Sequence, residues 1–584
     1  MSDANLFRTH LCGQPRPADV GGKITLAGFV DGSKMEGKAI DVRDGTGATS
    51  CLMPEKPSPK LEQTWGQITP ESVVQVSGQV MLRKRADPAM PTGEVLLMIE
   101  SLTVLSPAEV LPRELQRDAM GEEDRFRYRM LYLRRPHMQR RLEFRSKFLL
   151  EARKHLAGKG FTEVETPLLG RDGGDSASSF LLPVGDGKGY ALPASPQQFK
   201  EAVIASGVER YFQIARCYRN QAETSAERQP EFSVLDVEMA FQDEAGILAA
   251  TEELLAQLFE STLQIKLELP LERIPYEKAM SRYATDAPDL RARLVIADAT
   301  GTAKSLGASE VTEAMGKDGT ARAIRVEGGV ERLGDAELDL LTARITRGGK
   351  ARATWIKLGA QTGLRGPGVR FFGNSAPDAV SGLRGRQGDA LLLTFAKEAG
   401  DAHRAAGELR RELVKMIGDK DARTFACAFI TELPFFTYDD REKTWVARRH
   451  PLTQPRQEDL GLLDDAERNT SVLARAFTLV INGVELGSGG LRNHDLATQE
   501  KVFKLLGLTA AQVQKRYALT LETFRYGVPP HGGITLQLDR LLALVQGAEG
   551  IDEVMAFPKA RVGGDLMSET PMPLDTQHVR SLLD

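Results

Sequence analysis

The chain has 584 residues, with 76 Lys and Arg against 80 Asp and Glu, a net charge of -4, 41% hydrophobic residues and 27% charged. That length is too great for one core and implies about three or four domains of roughly 150 residues each, while the ordinary composition argues against a disordered or fibrous chain. No window approaches the ~18 apolar residues of a membrane span, and the balanced charge gives no overall drive toward nucleic acid, so such a partner would need a local basic face.

The N-terminal stretch MSDANLFRTHLCGQPRP has no apolar run suited to a signal peptide, and the expected location is cytoplasmic. Cys12, Cys51, Cys217 and Cys427 lie far apart with no CxxC pair, which fits reduced thiols better than a zinc cluster or a disulfide framework.

From Lys23 to Ser106 the runs KITLAGFV, KAIDV, SVVQVSGQVML and EVLLMIESLTVL alternate with period two between Gly, Pro and Asp turns. Short alternating strands predict a small β-barrel of the OB type over residues 1–107; the pattern alone equally fits a β-domain without a ligand. The proline-containing, charge-rich stretch 108–136 reads as a hinge. Residues 142–159, LEFRSKFLLEARKHLAGK, place Phe148, Leu149, Ala152 and Leu156 on one helical face, with Gly160 as the stop.

RYFQIARCYR and FSVLDVEMAF read as an antiparallel strand pair joined by the polar loop 220–231. In the second strand Leu235, Val237, Met239 and Phe241 share one face, and Asp236 and Glu238 the other. Two carboxylates on one face of an apolar strand are costly unless that face borders a polar cavity or meets cationic partners. A buried ion pair and a ligand site are both open at this level. Residues 284–423, rich in Ala, Gly and Arg, predict an inserted α/β domain between the halves 137–283 and 424–584. In the second half FTLVINGVELGSGGLRNHD and YGVPPHGGITLQLDRLLALV read as strand, glycine-rich bend, strand and helix.

Taken in order, GFTEVETP, RYFQIARCYR with ERQPEF, and GGITLQLDRL resemble the three motifs of class II aminoacyl-tRNA synthetases. ALPASPQQFK, RRHP, NGVELGSGGLR, YGVPPHGG and VMAFPK resemble bacterial-type aspartyl-tRNA synthetases, so that the likeness covers nearly the whole chain. It implies a multidomain α+β protein: an OB-fold anticodon domain, an antiparallel catalytic sheet of six to seven strands flanked by helices, a GAD insertion, and a homodimer. It also implies ATP, magnesium, L-aspartate and tRNA as cofactors and partners.

By motif match, Arg219 would hold the α-phosphate, Phe232 would stack on adenine, Arg540 would meet the γ-phosphate and Glu485 would carry magnesium. Lys200 and Arg492 would clamp the aspartate side chain, oriented by Asp236, with Ser195 and His450 lining the same pocket and Asp175 in a flipping loop. Arginine suits these roles because its planar fork grips phosphate or carboxylate with two bonds.

Several positions depart from the family pattern. Asn220 and Gln221 stand where the family has Asp-Glu beside the nucleotide, Thr478 replaces an aspartate seven residues before Glu485, and Gln537 replaces a glycine. Ala194 and Asp175 replace the glutamine and glutamate expected to hold the substrate ammonium, and Val234 replaces another glutamine near the phosphate. In the first barrel hairpin Gly32, Ser33 and Lys34 stand where arginines are expected, and Ser50 for a glutamine. Two functions follow. One is an ATP-dependent aspartate–tRNA ligase with altered nucleotide, ammonium and anticodon positions. The other is a diverged paralogue that binds aspartate or a related carboxylate as a binder, a regulatory subunit or a ligase to another acceptor.

Overall fold

The computed structural model describes residues 7–110, 120–171, 179–220, 225, 227–292, 294–306, 308–359, 363–417, 425–439, 444–465, 471–560 and 564–573. By internal contacts the chain forms two units, one made of Met1–Ser146, Ala222–Gln229 and Ala548–Asp575, the other of Lys147–Gln221, Pro230–Gly547 and Thr576–Asp584.

The first unit contains a closed five-stranded barrel of Lys23–Glu36, Ala39–Asp44, Gly47–Leu52, Val73–Leu82 and Val95–Ser106. Its interior is the alternating set expected of half-buried strands, with Leu26, Val30, Ile40, Val42, Val74, Val76, Leu97 and Ile99 all buried. The Gly47–Leu52 strand closes the ring by parallel pairing of Cys51 with Leu97; its small and polar residues gave it little strand signal.

The described part of the stretch read as a hinge contains two short helices, Glu122–Arg127 and Arg129–Leu133. It is also anchored. Arg129 is buried and donates to the backbone carbonyls of Asp552, Met555 and Ala556. Burial pulls its pKa down to about 10, with nearby Asp552 acting against that shift.

The second unit is built on an eight-stranded sheet in the order Glu272–Pro275, Cys427–Thr431, Ala476–Ile481, Val484–Leu491, His531–Gln537, Glu231–Ala240, Arg210–Tyr218 and Thr162–Glu163. The six central strands pair antiparallel, and a short strand at each edge adds by parallel pairing. The sheet is thus wider than the six to seven strands expected. The Glu231–Ala240 strand stops one residue short of Phe241, which takes a positive φ of 55° and is exposed.

The helix read over 142–159 begins earlier, at Pro136, a residue tolerated in a first helical turn, and runs to Gly158. Phe148, Ala152 and Leu156 are buried as expected, while Leu149 is only partly covered. Leu156 lines a cavity of about 420 Å³ with Val237, Met239, Ile247 and Leu254, the last two from the helix Glu244–Leu263. The apolar side of the Glu231–Ala240 strand therefore faces helices. Asp236 and Glu238 are left on the opposite side.

Between the halves of this sheet, a five-stranded sheet runs Ile296–Asp298, Thr320–Val326, Ala390–Ala396, Arg352–Gly359 and Gly363–Arg365. One face packs Leu338, Leu341, Leu409 and Leu413 against Ile324 and Leu392; the other packs Val311, Met315, Phe372 and Ala379 against Leu391 and Leu393. Cover on both faces explains why Ala390–Ala396 is buried at every position and shows no alternation.

Candidate functional site

Directly opposed residues of antiparallel strands put their side chains on the same face. Across five adjacent strands the register aligns Thr478, Ser488, Thr535, Asp236 and Gln213. A row of five polar residues crosses the middle of the sheet. One step along, Gly490, Gly533, Glu238 and Tyr211 form the next row.

Lys200, on the helix Gln197–Ala205, points onto these rows from above. Its Nζ lies 2.8 Å from Asp236 Oδ1 and 2.9 Å from Glu238 Oε2. Arg492, directly after the Val484–Leu491 strand, reaches Glu238 with Nε at 3.0 Å and Nη2 at 3.4 Å. All four side chains are buried, and two cations against two carboxylates leave the cluster without net charge. Burial alone would raise the Glu238 carboxyl, but Arg492, Lys200 and His531 outweigh it and hold the group down at about 2.

Gly533 makes room for that carboxylate. A Cβ there would sit 1.9 Å from the Val237 carbonyl oxygen and 2.7 Å from Glu238 Oε2. The Thr535 hydroxyl donates to Asp236 Oδ1, while Asp236 Oδ2 is buried without a hydrogen-bond partner. Of the three residues the resemblance puts at the aspartate side chain, Lys200 meets Asp236 directly and Arg492 joins them through Glu238, which the sequence reading placed on the same strand face without a role.

Ala194, Ser195 and His450 line one cavity of about 240 Å³ with Gln197, Phe199 and Leu519. Ser195 Oγ accepts the backbone N–H of Gln197 at 3.2 Å, and His450 Nδ1 accepts that of Leu452 at 3.2 Å. Glu201, one helical turn beyond Gln197, is fully buried and accepts from Gln197 Nε2 at 2.7 Å. Burial raises its pKa to about 7 against the pull of Gln197, His450 and Arg492. Asp175 lies outside the described residues.

Toward the other end of the Glu231–Ala240 strand, the Arg219 guanidinium carbon stands 5.2 Å from the centroid of the Phe232 ring, a cation–π distance. Val234 packs with Ala215, Cys217 and Phe232 in a small apolar cluster. Gln537 pairs with Val234 in the register and precedes the helix Leu538–Val545, which carries Arg540; its φ of −75° suits any residue, so no glycine is needed there for backbone reasons. Asp539 accepts the Ser233 backbone N–H at 2.7 Å and ties that helix to the sheet. Asn220 is exposed, and Gln221 lies outside the described residues.

Glu485 and Thr478 are joined by a residue not singled out from the sequence. Arg449 donates from Nη1 to Glu485 Oε1 at 2.9 Å and from Nη2 to the Thr478 hydroxyl. Among the described residues no group of three or more His, Cys, Asp or Glu side chains is placed to hold a metal ion. A hard divalent cation takes six or so oxygen ligands, charged ones preferred. At this position the protein offers one carboxylate, Glu485, already paired with the Arg449 guanidinium, and the Thr478 hydroxyl in place of a second carboxylate.

A family model described as tRNA synthetases class II (D, K and N) matches residues 121–561. The chain is 38% identical over 590 residues to the aspartate–tRNA(Asp/Asn) ligase of Moorella thermoacetica, covering 99% of this chain and 97% of that protein. It is 36% identical over 584 residues to the aspartate–tRNA ligase of Clostridium botulinum, covering 99% and 96%. Among solved structures it resembles the asparaginyl-tRNA synthetase of Pyrococcus horikoshii complexed with asparaginyl-adenylate, with TM-score 0.57, 20% identity and coverage of 94% and 97%. The asparaginyl-tRNA synthetase of Entamoeba histolytica, also with asparaginyl-adenylate, gives TM-score 0.56, 16% identity and coverage of 94% and 98%. These two likenesses concern the fold.

Proposed function

Because the chain belongs to the class II tRNA synthetases of the aspartate, lysine and asparagine group, and within it to the aspartyl-tRNA synthetases, we propose that it activates L-aspartate with ATP and passes the aspartyl group to tRNA, as a cytoplasmic homodimer. An α-carboxylate oxygen of aspartate attacks the α-phosphorus of ATP, the bond to the bridging oxygen breaks, and pyrophosphate leaves. A terminal ribose hydroxyl of tRNA then attacks the acyl carbon, and AMP leaves. Neither step needs a covalent bond to the protein; positioning and charge stabilisation carry them.

The observation that supports this reading is the buried cluster of Lys200, Asp236, Glu238 and Arg492. Glu238 fixes both cations, so that a substrate β-carboxylate entering beside them meets donors already oriented. Lys200 and Arg492 have donors only. An asparagine side chain would bring no charge and would turn its own N–H groups toward theirs, which is the repulsive half of specificity. Arg219 would grip the α-phosphate, Phe232 the adenine face and Arg540 the γ-phosphate. Ser195 and His450 would shape the amino-acid cavity, where Ala194 leaves the ammonium with fewer partners.

A second reading, a paralogue that binds aspartate or a similar carboxylate without ordinary aminoacylation, is favoured by one observation, the guanidinium of Arg449 against Glu485. Aspartate-dependent exchange of labelled pyrophosphate into ATP, run beside tRNA charging, separates the two. Exchange with charging supports the ligase. Exchange without charging points to another acceptor, and aspartate binding without exchange to the paralogue.

A further inference from the structure

The Glu485 carboxylate sits beside the polar row of the sheet, near the end where Arg449 precedes the cavity-lining His450. Its surroundings are set by three side chains. Thr478 is buried and neutral, Glu485 is the one carboxylate of the three, and Arg449 spans both with its two terminal nitrogens. The Arg449 side chain is 19% exposed and its Nε is buried without a hydrogen-bond partner. This is a guanidinium already seated by both terminal nitrogens, with part of its surface still open.

We propose that Arg449 takes the place of a protein-held divalent cation at this position: its guanidinium is the counter-ion of Glu485, and its remaining N–H groups contact a phosphate of a nucleoside triphosphate. The charges argue for it. A divalent ion brought to Glu485 would lie within a few ångströms of a fixed positive charge and would find a hydroxyl where a second carboxylate is needed. A guanidinium, by contrast, needs no further anionic ligands and presents planar donors to phosphate oxygens. Magnesium carried by the nucleotide's own phosphates is compatible with this arrangement, since Glu485 need not hold it. The phosphate half of the inference rests on the proposed nucleotide substrate, and the metal half stands apart from it.

Manganese, read by electron paramagnetic resonance on the full-length protein without nucleotide, tests the metal half. The parent is expected to show no stoichiometric site. One ion per chain that disappears in Glu485→Gln overturns the proposal. The double variant Arg449→Gln/Thr478→Asp, with the guanidinium gone and a second carboxylate added, is expected to gain one manganese site; a folded double variant without it overturns the assignment of exclusion to Arg449. ATP binding by calorimetry tests the phosphate half. With magnesium or in excess EDTA, whichever supports binding by the parent, Arg449→Gln is expected to bind ATP about tenfold more weakly or worse at a temperature where it is folded. An unchanged affinity in Arg449→Gln overturns it. Absence of ATP binding under either condition refutes the proposed function together with the phosphate half, and the manganese result still decides the rest.

Discussion

Arg492 and Glu238 face each other through two contacts, at 3.0 and 3.4 Å, with both side chains in the interior of the sheet. Breaking a buried charge pair by removing one partner typically costs about 3–5 kcal/mol, because the other charge is left uncompensated. Glu238→Gln is therefore expected to lower stability by that order and to loosen Arg492. Aspartate affinity, measured by calorimetry at a temperature where the variant is folded, should fall at least tenfold. A variant with parental affinity would place the substrate elsewhere.

Arg492→Ala is the complementary change. It removes a donor proposed for the substrate and strands Glu238 with Lys200 alone. Loss of detectable aspartate binding is expected, and unchanged affinity would refute the assigned pocket. Lys200→Met should behave similarly, since its ammonium bridges Asp236 and Glu238.

Gly533→Ala tests the packing of the same site by a different route. The added Cβ would meet a backbone carbonyl and the Glu238 carboxylate at distances no relaxed structure tolerates. Destabilisation of several kcal/mol is expected, beyond an ordinary glycine-to-alanine change. Denaturant midpoints check it, and a neutral effect would mean that the strand His531–Gln537 can move away from Glu231–Ala240.

How much of this was legible beforehand follows from periodicity. Alternation along VLDVEMA put Asp236 and Glu238 on one face, and spacing alone made that face polar. Which cations meet these carboxylates is decided by Lys200, 36 residues from Asp236, and by Arg492, 254 from Glu238; no local pattern encodes either. Arg449 was hidden for the same reason, being 29 residues from Thr478 and 36 from Glu485. The helices at Glu122–Arg127 and Arg129–Leu133 were hidden for another. Their hold on the protein is a buried arginine bonded to backbone carbonyls, and in a sequence that residue looks like one more surface charge.

The pH dependence of stability carries a cancellation. Glu201 is raised from the ordinary glutamate range to about 7. Between about pH 4.5 and 7 the folded state therefore keeps a proton the unfolded state has lost, and stability falls as pH rises. His531 is lowered by burial to about 4. From about pH 4 to 6.5 the unfolded state binds the extra proton, so stability rises with pH. Each slope approaches ~1.4 kcal/mol per pH unit, of opposite sign. The contributions of these two groups should nearly cancel from about pH 4.5 to 6.5. Glu201→Gln should make stability rise more steeply with pH than in the parent, and an unchanged slope would show that Glu201 is ionised in the folded protein. Glu238, depressed to about 2, adds stability that is present above about pH 4.5 and lost as pH falls toward 2.

Under the proposed function, the barrel would govern which tRNA is charged. Asp41 and Ser50 are opposed in the Ala39–Asp44 and Gly47–Leu52 pairing, Ser50 donates to Asp41, and Arg83 donates to Ser50. Ser50, standing where the family resemblance expects a glutamine, is thus bonded to the barrel's own side chains. The neighbouring hairpin has Gly32, Ser33 and Lys34 in place of arginines. Each lost phosphate contact weakens binding without regard to sequence, and each lost stacking contact removes about 1–3 kcal/mol of base recognition. Relatives of this chain are named both for one tRNA and for two. The altered hairpin favours the wider range. On that reading, transcripts of tRNA(Asp) and tRNA(Asn) should be charged with aspartate with kcat/KM values within about tenfold of each other. A preference of a hundredfold or more for tRNA(Asp) would show that the anticodon is still read, through contacts other than those the sequence has lost.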